Sequence, residues 1–341
     1  MNYPFPSGAP DLTHSFLERL QTAYDTFRVT RRERRNRPDV SISPVGEIRP
    51  LGATDVPLVF VTHNDIVLLN AFIQHYRQLG VTRFICVDDV STDGTREALL
   101  NEPDIDVWTS PVRYGQARRG RNWRERLFSE YGFNRWYLNV DSDEFLVYDD
   151  CFERPLPSLI RALEAANLRR MAAPMLDMYP NLSEVAGGQS FVDRPWQFSR
   201  YLDGNSYVSM LTKRGISIKG GPRGRKFSEG NELIKYPVIY WDRKCFFGSS
   251  PHQPLPYERN FPSVWGAILH FKFFTNYKAK ITEAAEGKQH YNSSEHYQKM
   301  MNVLHREGEI DFSYDQSIRY EGPQQLVERG FMTKIDFPQE R

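Results

Sequence analysis

The sequence has no excess of charge of either sign. Its 341 residues carry 44 Lys and Arg against 43 Asp and Glu, a formal net charge of +1. A dedicated nucleic-acid module shows a large positive excess, so nucleic acid is not an expected partner. Cysteine is scarce: Cys86, Cys151 and Cys245 are the three present, far apart and without C-x-x-C spacing. That excludes a disulfide framework and a structural zinc site, and it points to a reducing compartment. Long apolar runs are missing too. The longest clear one, Val56–Val61, is six residues, against the ~20 that a membrane-spanning helix needs. Residues 1–10 lack the basic start and apolar stretch of a secretory signal. The expectation is a cytoplasmic protein, at most held peripherally on the inner face of a membrane. The glycosylation sequons at Asn181 and Asn292 then carry no meaning. No GxGxxG follows the first strand and no GxxxxGK[ST] occurs, which removes the usual dinucleotide and P-loop enzymes. No internal repeat interrupts the chain.

What is present is enough to bury a core: 40% of residues are hydrophobic and 13% aromatic, which excludes disorder as the default state. Three regions are expected: a helical and basic extension with linker over 1–50, a main domain over 51–310, and a short extension over 311–341. In the first, Phe16, Leu20, Tyr24 and Phe27 form one stripe of an amphipathic helix that runs into Arg28, Arg31, Arg32, Arg34, Arg35 and Arg37. In the second, β-rich runs at 57–62, 83–88, 105–109 and 136–141 alternate with helical patterns at 65–79, 94–100 and 123–131. Gly80 is placed to cap the first of these helices. Such alternation implies right-handed βαβ units and an α/β fold with a mostly parallel sheet flanked by helices. Ligands of these sheets gather at the carboxyl ends of the strands.

Those ends are acidic. The second strand runs into Asp88-Asp89-Val90-Ser91-Thr92-Asp93-Gly94-Thr95, and the fourth ends at Asp141-Ser142-Asp143-Glu144. Residues two apart in an extended segment share a face, so Asp141 and Asp143 are expected to point into one crevice. Two carboxylates that close repel unless a cation intervenes. Oxygen ligands at this spacing suit a hard divalent ion, Mg²⁺ or Mn²⁺, which would bridge a diphosphate. The alternative is an acidic, solvated turn. Ser91, Asp93 and Gly94 serve a βα turn well, but a turn does not require two adjacent acids on the strand tip.

With these motifs the sequence resembles the GT-A glycosyltransferases of family 2, nearest to the bacterial family-2-like subgroup with a DxDE motif. Met175-Leu176-Asp177-Met178-Tyr179-Pro180, Gly220-Gly221-Pro222-Arg223 and Leu269-His270-Phe271-Lys272 carry the resemblance further, over roughly residues 56–300. It implies a GT-A (Rossmann-like) fold and sugar transfer from a nucleotide-sugar donor, UDP-linked by analogy, to a glycan or lipid-linked acceptor. Asp88 or Asp89 would read the base, Thr62 and Asn64 would line the nucleotide crevice, Asp141 would contact ribose or metal, and Asp143 would hold the metal. His270 would be a further metal or diphosphate ligand, the alternative being a core histidine; His252 and His290 are weaker candidates, and the role of His63 is open.

The family's late Glu-Asp pair has no clear equivalent, which leaves the catalytic base open. Asp177, at the end of a β-rich stretch, is the choice over Glu229 and Glu232 because it could project toward the acceptor. Glu144 is expected to orient the metal ligands. Of two further basic clusters, 113–126 reads mainly as a solvated helix face. Residues 220–225 read as a functional Gly/Arg loop in which Arg223 meets the donor diphosphate or a lipid-linked phosphate. Trp196, Tyr201, Tyr207, Trp241 and Trp265 are the aromatics placed to stack on a sugar. The rival functions are a nucleotidyltransferase, which would be expected to carry a Gly/Arg-rich loop after the first strand, and a non-catalytic glycan-binding protein. For the amino-terminal helix the alternatives are a peripheral membrane anchor and a helix packed on the domain with a solvated basic end.

Overall fold

The strand–helix alternation expected between residues 57 and 141 is present in a computed structural model that describes residues 2–5, 12, 14–184, 194–287, 289 and 295–339. Along the chain come β1 (Asn2–Tyr3), α1 (Phe16–Arg35), β2 (Ser43–Pro44), β3 (Pro57–Thr62), α2 (Ile66–Gln78), β4 (Arg83–Asp88), α3 (Thr95–Leu100), β5 (Ile105–Thr109), α4 (Arg121–Tyr131), β6 (Arg135–Asn139) and β7 (Glu144–Val147). Then follow α5 (Leu156–Ala165), β8 (Arg170–Asp177), β9 (Tyr201–Asp203), β10 (Tyr207–Thr212), β11 (Gly215–Gly220), α6 (Gly221–Phe227), β12 (Ile234–Trp241), β13 (Phe246–Phe247), β14 (Pro254–Leu255), β15 (Ala267–His270), α7 (Tyr277–Gly287), α8 (Glu295–Glu307), β16 (Ser317–Arg319) and α9 (Pro323–Glu328). His290 and the Asn292 sequon lie outside the described residues.

The central sheet has nine strands in the order β2-β5-β4-β3-β6-β12-β8-β15-β7. Six of them (β3, β4, β5, β6, β8, β15) run one way, and β2, β12 and β7 run against them. The α/β architecture expected from the sequence, a mostly parallel sheet flanked by helices, is what the chain adopts. Period-2 alternation builds its layers. Leu58 and Phe60 of β3 enter the core under α2 and α5, while Val59 and Val61 enter the core under α4. The chain passes from β3 through β4 to β5 on one side and returns to β6 on the other. The switch between β3 and β6 therefore opens a crevice at their carboxyl ends. Gly80 ends α2's turn at φ +95°, a left-handed conformation that glycine reaches without a Cβ penalty.

Three expectations are corrected. The fourth strand stops at Asn139, and 141–144 is a tight turn closed by the Glu144 N–H donating to the Asp141 carbonyl (3.1 Å), not an extended segment. The 113–126 arginines are not a solvated face. Arg121 and Arg124 are buried, and Arg113, Arg118, Arg121 and Arg124 each hold a partner on another segment. Trp241, Trp265 and Tyr207 are core side chains, Trp196 packs on His75, Phe145 and Phe271, and the Tyr201 hydroxyl donates to Glu184 (2.5 Å).

Candidate active site

A cavity of about 1130 Å³ lies at the carboxyl ends of β3 and β6, roofed by α7. Thr62, Asn64, Asp89, Asp141, Asp143, Arg223 and His270 all line it; Asp88 and Asp177 do not. Predicted residues from five separate stretches of sequence thus meet around one space.

The loop after β3 is organised by Asp65, a residue the sequence reading passed over. Its carboxylate accepts from the Thr62 hydroxyl (2.8 Å) and the His63 N–H (3.1 Å), and also from Ser142 and Lys280. Asn64, at φ +54°, accepts from the Thr92 N–H (2.8 Å) and donates to Glu283 of α7 (2.7 Å). His63 contacts the Asp89 carbonyl through Nδ1 (2.7 Å) and Glu283 through Nε2 (3.0 Å), so its role is to tie this loop to the roof. After β4 the two acids part company. Asp88 is fully buried on Arg96 (2.5 Å) and accepts from the Ser91 N–H (3.2 Å). Asp89 faces the cavity, held by Arg113 (2.8 Å) and the Tyr114 N–H (3.3 Å).

At the 141–144 turn the carboxylates also separate by partner. Asp141 sits between Arg124 and Lys235 (2.6 Å). Burial works against its charge, but Lys235 and then Arg124 outweigh burial and hold the carboxyl far below the usual range. Asp143 lies 3.3 Å from His270 Nε2. Burial opposes its ionisation too, and His270, with Lys272 and Lys280 beyond, brings it strongly down. The other ring nitrogen of His270 meets Asp177 Oδ1 at 2.5 Å, and Asp177 Oδ2 accepts from Arg223 Nε at 2.7 Å. Burial disfavours the imidazolium, yet Asp143 and Asp177 together raise His270 to about 9. Asp177 is lowered to about 2: burial pushes up, Arg223 and then His270 pull down further. Glu144, buried on Lys235 and on the Asp141 N–H (2.9 Å), is raised by burial despite Lys235.

These contacts hold Asp177 behind the cavity wall, not projecting into the cavity as an acceptor-side base would. Both its oxygens are occupied, and its side chain is closed off behind His270 and Arg223. The other two carboxylates weighed as base are also away from the cavity wall: Glu232 holds Ser217 and the Ile218 N–H, and Glu229 holds Asn231. Residues 220–225 are the end of β11 and the start of the short helix α6 (Gly221–Phe227) rather than an open loop. Arg225 serves Asp203 and the Phe312 carbonyl, while Arg223 reaches the cavity. One Arg223 nitrogen, Nη2, is buried without a hydrogen-bond partner among the described residues.

A divalent ion fits these residues. Ligand atoms of Asp143, Glu144 and His270 lie within 4.8 Å of one another. A buried carboxylate behind the far ring nitrogen, as Asp177 is, is the usual support of a metal-binding histidine. Asp141 stands outside this group, its charge met by Arg124 and Lys235. A mixed imidazole and carboxylate set suits Mn²⁺ better than Mg²⁺, which prefers oxygen alone. The cavity wall also carries Arg113, Arg223, Lys235, Lys272 and Lys280, of which sequence reasoning had singled out Arg223 alone for phosphate. The lysines come from three separate places, Lys235 from β12, Lys272 from the turn after β15 and Lys280 from α7, and share no common motif.

No family model matches the sequence, and no curated protein matches it. Among solved structures it is similar to 4-diphosphocytidyl-2C-methyl-D-erythritol synthase (16% identity, 41% of this chain and 68% of that one, TM-score 0.26). It is also similar to a mannosyltransferase from Pyrobaculum calidifontis in complex with GDP-Man and Mn²⁺ (17%, 50% and 48%, 0.25). A third is UDP-glucose pyrophosphorylase from Acinetobacter baumanii (10%, 73% and 99%, 0.30). At these scores the likeness bears on neither substrate nor mechanism.

Proposed function

We propose that the protein is a divalent-metal-dependent transferase that binds a nucleotide-sugar and moves its sugar to an acceptor hydroxyl on a glycan or lipid-linked chain. The observation that carries this reading is the pairing, in one cavity, of the Asp143–Glu144–His270 group with a buried Arg223 nitrogen that has no partner. Thr62, Asn64 and Asp89 are the residues we assign to the nucleoside, in the crevice between β3 and β6. Asp143 and His270 would hold Mn²⁺, which when bound offsets negative charge on a leaving diphosphate. Arg223, Lys272 and Lys280 would bind the same diphosphate, Arg223 through its unpaired Nη2. Asp177 then positions His270 and Arg223 at once and is not the base. Asp141 and Asp143 are poor proton acceptors because neighbouring cations keep them ionised; their part is to hold charge in place.

That last point also favours a second reading, nucleotidyl transfer, in which the attacking group is an anionic sugar phosphate and needs no base. Against it stands the loop after β3, closed on Asp65 and without a glycine or arginine to cradle a triphosphate. Calorimetry with UDP and GDP, with and without Mn²⁺, tests the shared core. Nucleotide binding is expected to strengthen with Mn²⁺, and Asp143→Ala to abolish that gain. If neither nucleotide binds, or the variant retains the full Mn²⁺ effect, the proposal fails. Product analysis then separates the readings: sugar release from UDP- or GDP-sugars marks glycosyl transfer, and pyrophosphate release from a nucleoside triphosphate with a sugar phosphate marks nucleotidyl transfer.

A further inference from the structure

Helix α1 is packed with its polarity reversed. Its inward face is Thr22, Asp25, Val29 and Glu33, all buried. Asp25 is gripped by Arg214 (3.0 Å), Lys213 (3.6 Å) and Arg28 (3.1 Å), and Glu33 by Arg118 (2.6 Å) and Arg32 (2.6 Å). The Thr26 hydroxyl adds a hydrogen bond to Glu258 (2.7 Å). These contacts fix how the helix is rotated, and the rotation turns the apolar stripe away from the domain. Phe16 is 74% exposed, Leu17 69%, Leu20 51%, Tyr24 66% and Phe27 62%. An amphipathic helix normally hides that stripe; this one spends ion pairs to present it.

At about 100° per residue, positions 16, 17, 20, 24, 27, 31, 34 and 35 fall within one arc of about 100°. The outward face is therefore apolar over its first three turns and arginine over its last two. Arg31, Arg34 and Arg35 are exposed. They join Phe27 and Lys244 around a cleft of about 510 Å³ whose one acid is Glu258. The acids of α1 are Glu18, Asp25 and Glu33; the last two are buried on the opposite face, and Glu18 is bonded to Ser15. Among the described residues no acid on the outward arc pairs with its arginines; Arg34 lies over the Phe246 ring (5.1 Å to its centroid). A second copy of the same face would bring arginines with no acids to meet them. An apolar strip continued by uncompensated arginines matches a surface that offers hydrocarbon and phosphate together.

We propose that the outward face of α1 docks the protein onto an anionic lipid surface. The five apolar side chains enter the headgroup–acyl boundary, and Arg31, Arg34 and Arg35, with Lys244 at the cleft, bind lipid phosphates. This is independent of the nucleotide reading, since none of these residues lines the active-site cavity.

Flotation of the full chain with vesicles tests it. Binding is expected to phosphatidylcholine–phosphatidylglycerol vesicles and not to phosphatidylcholine alone, and it should weaken with salt. The triple variant R31E/R34E/R35E should lower partitioning by at least about a hundredfold, and F16S/L20S/F27S should abolish it. R31K/R34K/R35K keeps the charge and should still float. Wild-type protein that stays unbound with both vesicles overturns the proposal, as do charge-reversal and apolar variants that float like wild type. Sedimentation velocity reads the competing occupant: a dimer lost in F16S/L20S/F27S, with no vesicle binding, would assign the face to a second copy instead.

Discussion

Asp177 touches the chemistry only through its neighbours, because its two oxygens lie on His270 and Arg223. Asp177→Asn keeps the shape but takes away the charge behind the imidazole. Mn²⁺ affinity, measured by titration calorimetry, should fall about 10- to 100-fold. Unchanged Mn²⁺ binding would mean that His270 is not a ligand. A second residue-scale effect belongs to His75. Burial, with Arg194 adding to it and the Leu146 carbonyl opposing, lowers His75 to about 4. Unfolded histidine titrates near 6.5, so between those values the unfolded chain binds the extra proton. His75's contribution to stability is complete above pH ~6.5 and is lost as pH falls toward 4. Urea titrations at pH 7 and pH 5 should show a drop that is smaller by roughly 2 kcal/mol in His75→Gln. Equal drops would show that His75 is not held neutral.

At the scale of elements, the site depends on where helices begin. Gly220 ends β11 at φ +108°, and a Cβ there would stand 2.2 Å from the Ser206 carbonyl oxygen. No rotamer relieves a clash with backbone. Gly220→Ala is expected to lower stability by at least about 2 kcal/mol and to weaken nucleotide binding, because α6 carries Arg223. Thermal melting and calorimetry read the two effects, and an alanine variant with wild-type melting would remove the constraint. The βα units were legible because each announces itself locally. Short, β-rich apolar runs marked β3–β5, helical spacing marked α2, and Gly80 marked its end. The 141–144 turn was not legible as a turn, since its closing hydrogen bond competes with an equally plausible extended reading of Asp-Ser-Asp. The burial of Arg121 and Arg124 was also invisible, because arginine in a helix is usually solvated and only acceptors of other segments, the Gly248 and Val140 carbonyls and the Asp141 carboxylate, draw these two inward.

For the whole molecule, the three cysteines give a global probe. All are free and buried, and burial raises each thiol, Cys151 to about 12. Thiol labelling at neutral pH should be negligible in the native protein and reach three groups in one step with global unfolding, followed by Ellman absorbance against denaturant. Labelling of any one thiol before unfolding would indicate a domain that opens separately. The near-zero net charge likewise conceals an ordered arrangement. Five acids fall in residues 141–150, while 28–37, 113–126 and 213–226 hold six basic residues each. In the fold, members of the last two segments reach acids at and behind the cavity wall: Arg124 meets Asp141 and Arg113 meets Asp89 on the wall, and Arg223 meets Asp177 behind it.

The sequence by itself determined the α/β class, the strand ends at which acids gather, and the existence of a basic amphipathic helix near the amino terminus. Each of these rests on near neighbours, through side-chain period, turn chemistry and composition. Only the tertiary structure decided that Asp89, and not Asp88, faces the cavity. It turned Asp88 and Asp177 inward, brought Lys272 and Lys280 to the wall and set the apolar stripe of α1 outward. Those outcomes depend on charges contributed by segments as far as 215 residues away, and pairing at that range leaves no periodic trace in the chain.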